Sequence, residues 1–425
     1  MNLYVHFPFC RSKCRYCALH SRVGVPSADR DAYVRHLADW LCQSLPRGLS
    51  LAVLGSVPNG RLPNGRLAPS AQDNGACPQA DGACPQADGV CPQADGVCPQ
   101  ILIRGLSPIE TVYFGGGSPA LCDLDPILNA LAPYLTAETE FTVELHPKDV
   151  TESLLSRLRD GGVNRISMGL QSLDDATLLK MGRGYSVAEA AKAFRLIKKF
   201  FGNAGIDLII GFPGDPCTSL LPLADWGLTH ISIYSLQNER NLANVPSDDW
   251  VLDRIRGASA ELASIGLKRY EISNYARPGF ECRHNLAVWR GEDYLGLGEG
   301  AYGRLGRLRT KNLGVCPQNF GVCPQRTACA ARTGQGACPQ DEGGLSPSGG
   351  GLSPEVEEVT EERDALERRI FRLRTCEGLD ARGRADWGQA LERFCAEGLL
   401  TNEDGIYRLT PRGTEVCDSI LCELV

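Results

Sequence analysis

The sequence has no excess of positive charge: 51 Asp and Glu residues outnumber 44 Lys and Arg residues, for a formal net charge of −7. This balance argues against nucleic acid as the main partner, because binding the phosphate backbone requires a basic surface. No run approaches the roughly 20 uninterrupted apolar residues that span a membrane. The amino-terminal residues also lack the basic segment and apolar core of a secretory signal. We therefore expect a cytoplasmic protein.

Cysteine is the abundant exception in an otherwise ordinary globular composition, with 19 residues in a chain of 425. In a cytosolic chain, grouped cysteines indicate a metal or cluster site more often than a disulfide framework. Seven of the cysteines lie in Cys-Pro-Gln triplets, at Cys77, Cys84, Cys91, Cys98, Cys316, Cys323 and Cys338.

The triplets belong to two repetitive segments, residues 58–100 and 313–354. In the first segment the repeat has a period of seven, but a Pro and a Gly in every unit exclude a continuous coiled-coil helix. We expect both segments to be disordered insertions, because they offer too little apolar surface to offset the entropy of ordering. A thiol-rich tract that binds metal weakly is the alternative.

Outside these segments, short apolar strands alternate with amphipathic helices, which predicts a parallel α/β sheet covered by helices. A partial barrel or an open doubly wound sheet would both fit, and both place sites at the carboxyl ends of strands. The predicted strands are Leu3–Phe7, Thr111–Phe114, Phe141–Leu145, Arg165–Gly169, Ile206–Gly211 and His230–Tyr234. The predicted helices are Arg30–Ser44, Leu124–Tyr134, Thr151–Asp160, Asp174–Met181, Ser186–Phe200 and Thr218–Leu228.

Residues 355–425 have a different pattern of two helices, a hairpin and a further helix. The helices are predicted at Glu361–Arg374 and Leu391–Gly398, and the hairpin turn at Asn402–Gly405. This order resembles a winged helix. Because the segment is acidic in balance, we do not expect it to bind DNA.

The strongest chemical motif is Cys10-x3-Cys14-x2-Cys17, directly after the first predicted strand. Three thiolates on a short loop can bind three irons of a 4Fe–4S cluster and leave the fourth iron open to chelate S-adenosylmethionine. An electron from such a cluster would release a 5′-deoxyadenosyl radical. Zinc is the weaker alternative, since it usually needs a fourth ligand and paired spacing. A dithiol redox pair, Cys14 with Cys17, would leave the third cysteine unexplained.

The run Phe114–Pro119 contains three consecutive glycines after the second strand. Alone, such a run could equally be a tight turn between strand and helix. One strand after the cysteine loop, it predicts a backbone that approaches a bound ligand closely.

With Tyr4-Val5-His6-Phe7-Pro8-Phe9 ahead of the cysteines, the chain resembles the radical S-adenosylmethionine superfamily. Within it, the chain is most similar to the oxygen-independent coproporphyrinogen III oxidases and their relatives, the HemW heme chaperones. The resemblance covers roughly 340 residues, everything but the repetitive segments. It implies a partial (β/α)6 barrel with a small winged-helix-like carboxyl-terminal domain. The predicted segments are 1–57 and 101–312 for the barrel, 58–100 and 313–354 for the insertions, and 355–425 for the last domain.

The resemblance implies a 4Fe–4S cluster on Cys10, Cys14 and Cys17, and a set of S-adenosylmethionine contacts at strand ends. A carboxylate suits the ribose hydroxyls and an arginine suits the methionine carboxylate, because each forms charge-assisted hydrogen bonds. Taken singly, Asp207 could instead be a cap and Arg183 a surface charge. The implied contacts are Tyr4, Gly116, Gly117, Ser118, Glu144, Gln171, Arg183 and Asp207.

A last motif, Cys282-Arg283-His284-Asn285 with Trp289, resembles the His-Asn-x-x-Tyr-Trp segment that the family associates with heme. Val288 stands where the family has tyrosine. His284 is the implied heme-binding residue, Cys282 a second soft ligand and Trp289 a flat face for the porphyrin. The alternative is a buried histidine and tryptophan that close the barrel.

Two functions compete: a heme chaperone that transfers heme to an acceptor protein, and an oxidase that decarboxylates porphyrinogen propionates. The oxidases carry a further cysteine two residues after the third, where this chain has Leu19. They also carry an extension before the first strand, which this sequence lacks. Both features favour the chaperone. The acceptor and the oligomeric state do not follow from the sequence.

Overall fold

The computed structural model describes residues 1–45, 49–53, 101–104, 109–238, 240–315 and 354–424. They fall into two compact units, Met1–Cys42 with Ser107–Val425, and Gln43–Leu106. The predicted insertions lie outside the described residues, apart from residues 313–315 and 354 at their edges. The prediction of five segments therefore stays a prediction.

The described strands and helices are numbered here in chain order. The strands are β1 (Asn2–Phe7), β2 (Phe9–Cys10), β3 (Arg22–Val23), β4 (Leu49–Val53), β5 (Ile101–Arg104), β6 (Thr111–Gly116), β7 (Glu140–Leu145), β8 (Arg165–Gln171), β9 (Asn203–Ile210), β10 (His230–Ser235), β11 (Lys268–Arg269), β12 (Asn274–Ala276), β13 (Tyr294–Leu297), β14 (Tyr302–Leu305), β15 (Leu308–Lys311), β16 (Glu355–Glu358), β17 (Leu379–Asp380), β18 (Leu400–Glu403) and β19 (Ile406–Leu409). The helices are α1 (Ser27–Ser44), α2 (Asp125–Leu131), α3 (Glu152–Asp160), α4 (Asp175–Met181), α5 (Val187–Phe200), α6 (Asp248–Ser264), α7 (Arg283–Trp289), α8 (Glu361–Ile370), α9 (Gly388–Ala396), α10 (Pro411–Glu415) and α11 (Cys417–Leu424).

Six parallel strands form the centre of the larger unit, in the order β1-β6-β7-β8-β9-β10. Strands that follow each other in sequence lie side by side because each crossover returns the chain to the neighbouring position. Antiparallel β12 and β11 extend one edge of this sheet, and β13 to β16 extend the other. The chain thus has the predicted α/β fold, a partial (β/α)6 barrel whose sheet does not close within the described residues.

One predicted helix is wrong. The segment predicted as a helix at Thr218–Leu228 contains only a 3-10 helix, Leu221–Trp226. Pro222 lies in its first turn, and Gly227 ends it in the left-handed region at φ 67°. A proline without an N–H and a left-handed glycine five residues later leave no room for a regular α-helix.

The central strands have two different faces. Leu3, Val5 and Phe7 of β1 are completely buried, as are the equivalent apolar residues of its neighbours. The alternate positions are polar, and several bond across strands inside the barrel; the Ser167 Oγ of β8, for example, donates to the Asp207 carboxylate of β9 at 3.0 Å. Since side chains alternate along a strand, one face forms the apolar core with the helices and the other lines a polar interior.

The carboxyl-terminal residues form the predicted winged-helix-like fold. The three-stranded sheet β17-β19-β18 packs with α9 and α11 around its own apolar cluster, which includes Leu391, Phe394 and Ile420. The β18–β19 hairpin turns at Asp404 and Gly405, both with positive φ. No helix in the described part of the chain is long and apolar enough to cross a membrane.

The smaller unit is described at residues 43–45, which include the end of α1, and at β4 and β5, which pair antiparallel.

Candidate functional site

The three clustered cysteines lie on a loop that is closed at its base. Cys10 ends β2, which pairs in parallel with β3 after the loop, and the Arg22 amide donates to the Pro8 carbonyl at 2.6 Å. Within the loop, the Lys13 ammonium donates to the Leu19 carbonyl at 2.6 Å. Such a closed loop holds its side chains in a restricted arrangement before any ligand binds.

All three thiols are free and half-buried. Burial raises the pKa of the Cys10 thiol, and the neighbouring thiols of Cys17 and Cys14 add to this effect. In the described ranges, no three His, Cys, Asp or Glu side chains are grouped as ligands of a single metal ion. Thiolates that bind different corner irons of one cluster do not need to share one centre, so the loop fits a cluster by the chemistry of its donors.

Two arginines from loops far away along the chain bind the cysteine loop. The Arg183 Nη1 lies 3.4 Å from the Cys14 Sγ and 3.4 Å from the Tyr16 hydroxyl. The exposed Arg240 donates to the Cys17 carbonyl from Nε at 3.1 Å and from Nη2 at 2.9 Å. Both arginines thus attach the cysteine loop to segments far away along the chain.

A buried carboxylate connects the cysteine loop to the glycine run. Asp149 accepts from the Arg11 Nε at 2.7 Å and from the Ser118 hydroxyl at 2.7 Å. The Ser118 hydroxyl is therefore directed to Asp149 in this structure. Asp149 holds the two segments predicted to contact the cluster and S-adenosylmethionine next to each other.

The glycine run needs its glycines for close packing. A Cβ at Gly116, whose φ is 104°, would lie 2.5 Å from the His6 ring, and a Cβ at Gly117 would lie 2.4 Å from the Phe9 carbonyl oxygen. The Gly117 and Ser118 amides donate to the Phe7 and Phe9 carbonyls at 2.8 and 2.7 Å.

The amide of Gly116 donates to the Glu144 carboxylate at 3.2 Å. The amides of Gly116, Gly117 and Ser118 are thus all bonded within the chain. What the run can offer a ligand is carbonyl oxygen, which accepts hydrogen bonds from an ammonium group.

Two of the predicted S-adenosylmethionine contacts, the carboxylates of Glu144 and Asp207, lie inside the barrel. Glu144 also accepts from the Tyr113 hydroxyl at 2.8 Å, while Asp207 accepts from Ser167. Burial, together with the negative charge of Asp207, raises the pKa of Glu144 from its ordinary 4.5 to about 7. Burial also raises the pKa of Asp207. Ionisation of these two buried carboxyl groups is therefore unfavourable, and hydrogen bonds from the hydroxyl groups of a ligand would stabilise the charged forms.

Replacing Glu144 by Gln is expected to stabilise the ligand-free protein at about pH 8 by up to about 3 kcal/mol. Because the folded-state pKa of about 7 lies above the ordinary 4.5, the folded chain holds the proton more tightly. The contribution of Glu144 to the free energy of unfolding is complete below its unfolded-state pKa of 4.5 and is lost as the pH rises through its folded-state pKa of about 7. Urea unfolding of both proteins at about pH 5 and pH 8 measures the difference.

The exposed Glu138, replaced by Gln, is the matched control and should change stability equally little at both pH values. A stability difference between E144Q and the parent that does not grow from the lower to the higher pH would contradict the argument.

Gln171 and Arg183 meet at the carboxyl end of β8. Gln171 has a φ of 77° at an irregularity of the β8–β9 pairing, a conformation that non-glycine residues rarely adopt. A Cβ on Gly169 would lie 2.6 Å from the Gln171 Nε2 and 3.3 Å from the Arg183 Nη2. Arg183 also donates to the Gly169 carbonyl and to the Tyr185 hydroxyl, both at 2.8 Å.

Tyr4 connects with the site through His6. Its hydroxyl lies 2.9 Å from the His6 Nδ1, and the His6 Nε2 lies 3.0 Å from the His20 carbonyl oxygen. Burial lowers the pKa of His6, so its ring is held neutral. Tyr4 and His6 thus form one chain of contacts that ends on the residues following the cysteines.

His284 lies near the amino-terminal ends of the strands, where its ring centroid is 6.3 Å from that of Tyr4. Its ring is buried, its Nδ1 lies 2.8 Å from the Thr111 hydroxyl, and its amide donates to Glu140 at 3.0 Å. Burial and the charge of Arg165 lower its pKa to about 3, which keeps the imidazole neutral. Cys282 is also buried, and burial raises its pKa to about 12.

A cavity of about 960 Å³ opens beside α7, at the same end of the barrel. Its lining includes Tyr270, Arg283, Leu286 and Cys376. Trp289, at the end of α7, instead packs against the carboxyl-terminal residues, with its ring centroid 6.4 Å from that of Phe371.

Sequence patterns missed the residues that fasten the cysteine loop, such as Asp149, Arg240 and Arg11. Each acts on a partner far away along the chain, 138 residues away for Arg11 and Asp149. The one local signal was the position of Asp149 shortly after a strand end, where barrel sites gather.

Comparison with known proteins agrees with the predicted family. Residues 100–226 match the model of the radical SAM superfamily. The heme chaperone HemW of Lactococcus lactis is 35% identical over 229 residues, which cover 49% of this chain and 60% of that protein. HemW of Synechocystis is 30% identical over 335 residues, covering 73% of this chain and 68% of that protein.

Among solved structures, coproporphyrinogen III oxidase (HemN) from Escherichia coli, a radical SAM enzyme, matches with a TM-score of 0.67 at 18% identity. The match covers 100% of this chain and 89% of that chain. At this identity it shows a shared fold. The chain spans only 60% of the length of the Lactococcus lactis relative.

Proposed function

The chain belongs to the HemW-like family of radical S-adenosylmethionine proteins, and from this membership we propose that it binds a 4Fe–4S cluster, S-adenosylmethionine and heme and transfers heme to an acceptor protein. The observation that carries the proposal is the convergence of the cysteine loop and the glycine run on Asp149. The cytoplasmic location predicted from the sequence stays a prediction.

Cys10, Cys14 and Cys17 are the proposed cluster ligands, and a reduced cluster would supply an electron to S-adenosylmethionine bound beside it. Arg183 would hold the Cys14 thiolate and the methionine carboxylate, because it lies 3.4 Å from the Cys14 Sγ.

The other predicted contacts would divide the cofactor among them. The carbonyls of the glycine run would accept from the methionine ammonium, and Glu144 and Asp207 would accept from the ribose hydroxyls. Gln171, at the carboxyl end of β8, and Tyr4, within β1, complete the proposed set.

Heme is proposed to bind at the α7 end of the barrel. The names of the relatives as heme chaperones support this, as does the cavity of about 960 Å³ beside α7, whose lining includes Arg283 and Leu286 of that helix but not His284. Cavities of this size hold large organic cofactors. Arg283 at its wall carries the charge that a propionate would pair with, and Tyr270 and Leu286 supply apolar surface.

Porphyrinogen oxidation is the second candidate, favoured by the fold shared with HemN. Leu19, which stands where the oxidases have a cysteine, weighs against it; its side chain is 54% exposed beside the cysteine loop. Anaerobic incubation of the reconstituted protein with S-adenosylmethionine, reductant and coproporphyrinogen III separates the two functions. We expect no vinyl product, while heme added to the same protein is bound and passed to an apo-protein acceptor. Formation of the vinyl product would establish the oxidase instead.

Replacing His284 by Asn is expected to weaken heme binding by about tenfold or more, since even the loss of a side chain that orients a metal ligand costs about 10- to 100-fold in affinity. Asparagine can keep the bond to Thr111 that the Nδ1 makes and removes the Nε2 that would bind iron. Heme titration followed by the Soret band measures the affinity, and thermal unfolding tests the fold.

The exposed His36, replaced by Asn, is the control and should bind heme like the parent. Unchanged heme affinity in a folded H284N protein would remove His284 as the ligand and leave the interpretation of a histidine that closes the barrel.

A further inference from the structure

Glu299 is a buried carboxylate that faces the back of the cysteine loop. Its side chain is 1% exposed, and its Oε1 accepts from the His20 Nε2 at 2.5 Å and from the Arg22 Nη2 at 2.5 Å. Both partners are surface side chains, 44% and 43% exposed. A carboxylate buried to this extent depends on such charge-assisted hydrogen bonds, because burying an unpaired charge is energetically costly.

The backbone around Glu299 is built to present this side chain. Gly298 and Gly300 on either side have φ values of 100° and 88°. A Cβ at Gly298 would lie 2.3 Å from the Tyr33 hydroxyl oxygen, and a Cβ at Gly300 would lie 3.1 Å from the His20 Cβ. The Glu299 amide donates to the Tyr33 hydroxyl at 2.9 Å, which holds the turn against α1. Other side chains at the two glycines would strain this turn or displace His20.

The two partners of Glu299 lie on the arm by which the cysteine loop returns to the barrel. Arg22 begins β3, whose partner strand β2 carries Cys10. The His20 carbonyl oxygen lies 3.0 Å from the His6 Nε2, and the Tyr33 hydroxyl donates to the His6 carbonyl at 2.8 Å. The same turn therefore holds both the return arm and the strand that leads into the cysteines.

We propose that Glu299 is a positioning residue that holds the return arm of the cysteine loop, and thereby sets where the cluster lies relative to the glycine run. This rests on the proposed cluster. Glu299 touches no cysteine, so it acts through His20 and Arg22. If the return arm detached, the Glu299 carboxylate would stay buried without a charged partner, which is energetically costly. Glu299 therefore favours the conformation in which the return arm is bound to it.

The first test uses the protein without a cluster. Replacing Glu299 by Ala is expected to raise the rate of trypsin cleavage after Lys13 and Arg15 by about tenfold, because cleavage follows local opening of the loop. Mass spectrometry of timed digests gives the rate at each site. Glu299→Gln keeps the volume and an acceptor oxygen without the charge, so its rates should lie between those of the parent and E299A.

The second test uses the reconstituted protein. We expect E299A and, to a smaller extent, E299Q to alter the electron paramagnetic resonance spectrum of the reduced cluster and to diminish its change on addition of S-adenosylmethionine, compared at equal iron content. A residue that only stabilised the fold would change neither signal per cluster.

The matched control is Asp364→Ala. Asp364 is also a largely buried carboxylate, bound to Arg304 at 2.6 Å and Arg309 at 2.9 Å, and it lies on α8 in the carboxyl-terminal residues. D364A should lower the melting temperature and leave cleavage at Lys13 and Arg15 and the cluster spectrum unchanged.

Parental cleavage rates and an unchanged spectrum in both Glu299 variants would overturn the proposal, as would D364A reproducing their effects. If the parent protein takes up no cluster, the proposed function fails. The cleavage comparison would still decide whether Glu299 orders the loop.

Discussion

Replacing Cys10, Cys14 and Cys17 together by Ser is expected to reduce the iron and sulfide of anaerobically reconstituted protein from about four of each per chain to near zero. A hydroxyl is a far weaker ligand for iron than a thiolate, and the three free thiols on one closed loop are the proposed ligand set. Iron and acid-labile sulfide assays, together with the visible absorption of the cluster, measure the loss.

Two control variants separate this loop from the other cysteines. In the first, the exposed Cys42, Cys376 and Cys422 are changed to Ser. In the second, the seven cysteines of the Cys-Pro-Gln triplets are changed. Both should keep the full cluster. Retention of iron and sulfide by the loop variant, or their loss from the triplet variant, would refute the assignment and favour a thiol-rich metal tract.

Replacing Arg183 by Met is expected to weaken S-adenosylmethionine binding by about 100-fold, since loss of a charge-assisted bond in a partly buried site costs about 2–3 kcal/mol. Four of the five guanidinium N–H donors are used by Cys14, Tyr16, Gly169 and Tyr185, so the group is fixed before a ligand arrives. Equilibrium dialysis with labelled S-adenosylmethionine on the reconstituted protein measures the affinity.

Arg240→Met is the matched control, because Arg240 is exposed and binds the same loop only through the Cys17 carbonyl. It should change the affinity by a few-fold at most. Equal losses in the two variants would mean that Arg183 acts only by holding the loop, and an unchanged affinity in R183M would exclude it as a ligand contact. Urea unfolding of both variants separates a binding effect from loss of the fold.

The central strands could be predicted because their evidence is local. Six short apolar segments separated by helical patterns can form only a parallel arrangement with crossovers, and the structure has all six in sequence order. The same kind of evidence failed at Thr218–Leu228, where apolar spacing suggested a helix but Pro222 and Gly227 determined the backbone. Local geometry overrides periodicity where a residue cannot adopt the required dihedral angles.

The cysteine motif could also be predicted, since its chemistry depends on spacing within eight residues. The residues that fasten the loop could not. Glu299 is 279 residues from His20, and no neighbouring pattern marks Glu299 as a partner of the loop. Contacts of this kind follow from which strands lie side by side.

By itself, the sequence determined the fold class, the set of three cysteines and the glycine run, because each depends on residue types a few positions apart. Only the tertiary structure decided which charges hold that loop, that Ser118 is directed to Asp149, and that His284 lies near the strand starts, away from the cysteines. The physical reason is the same in each case: a buried polar group takes its partner from whatever the packed sheet brings within bonding distance, and that partner is set by the fold.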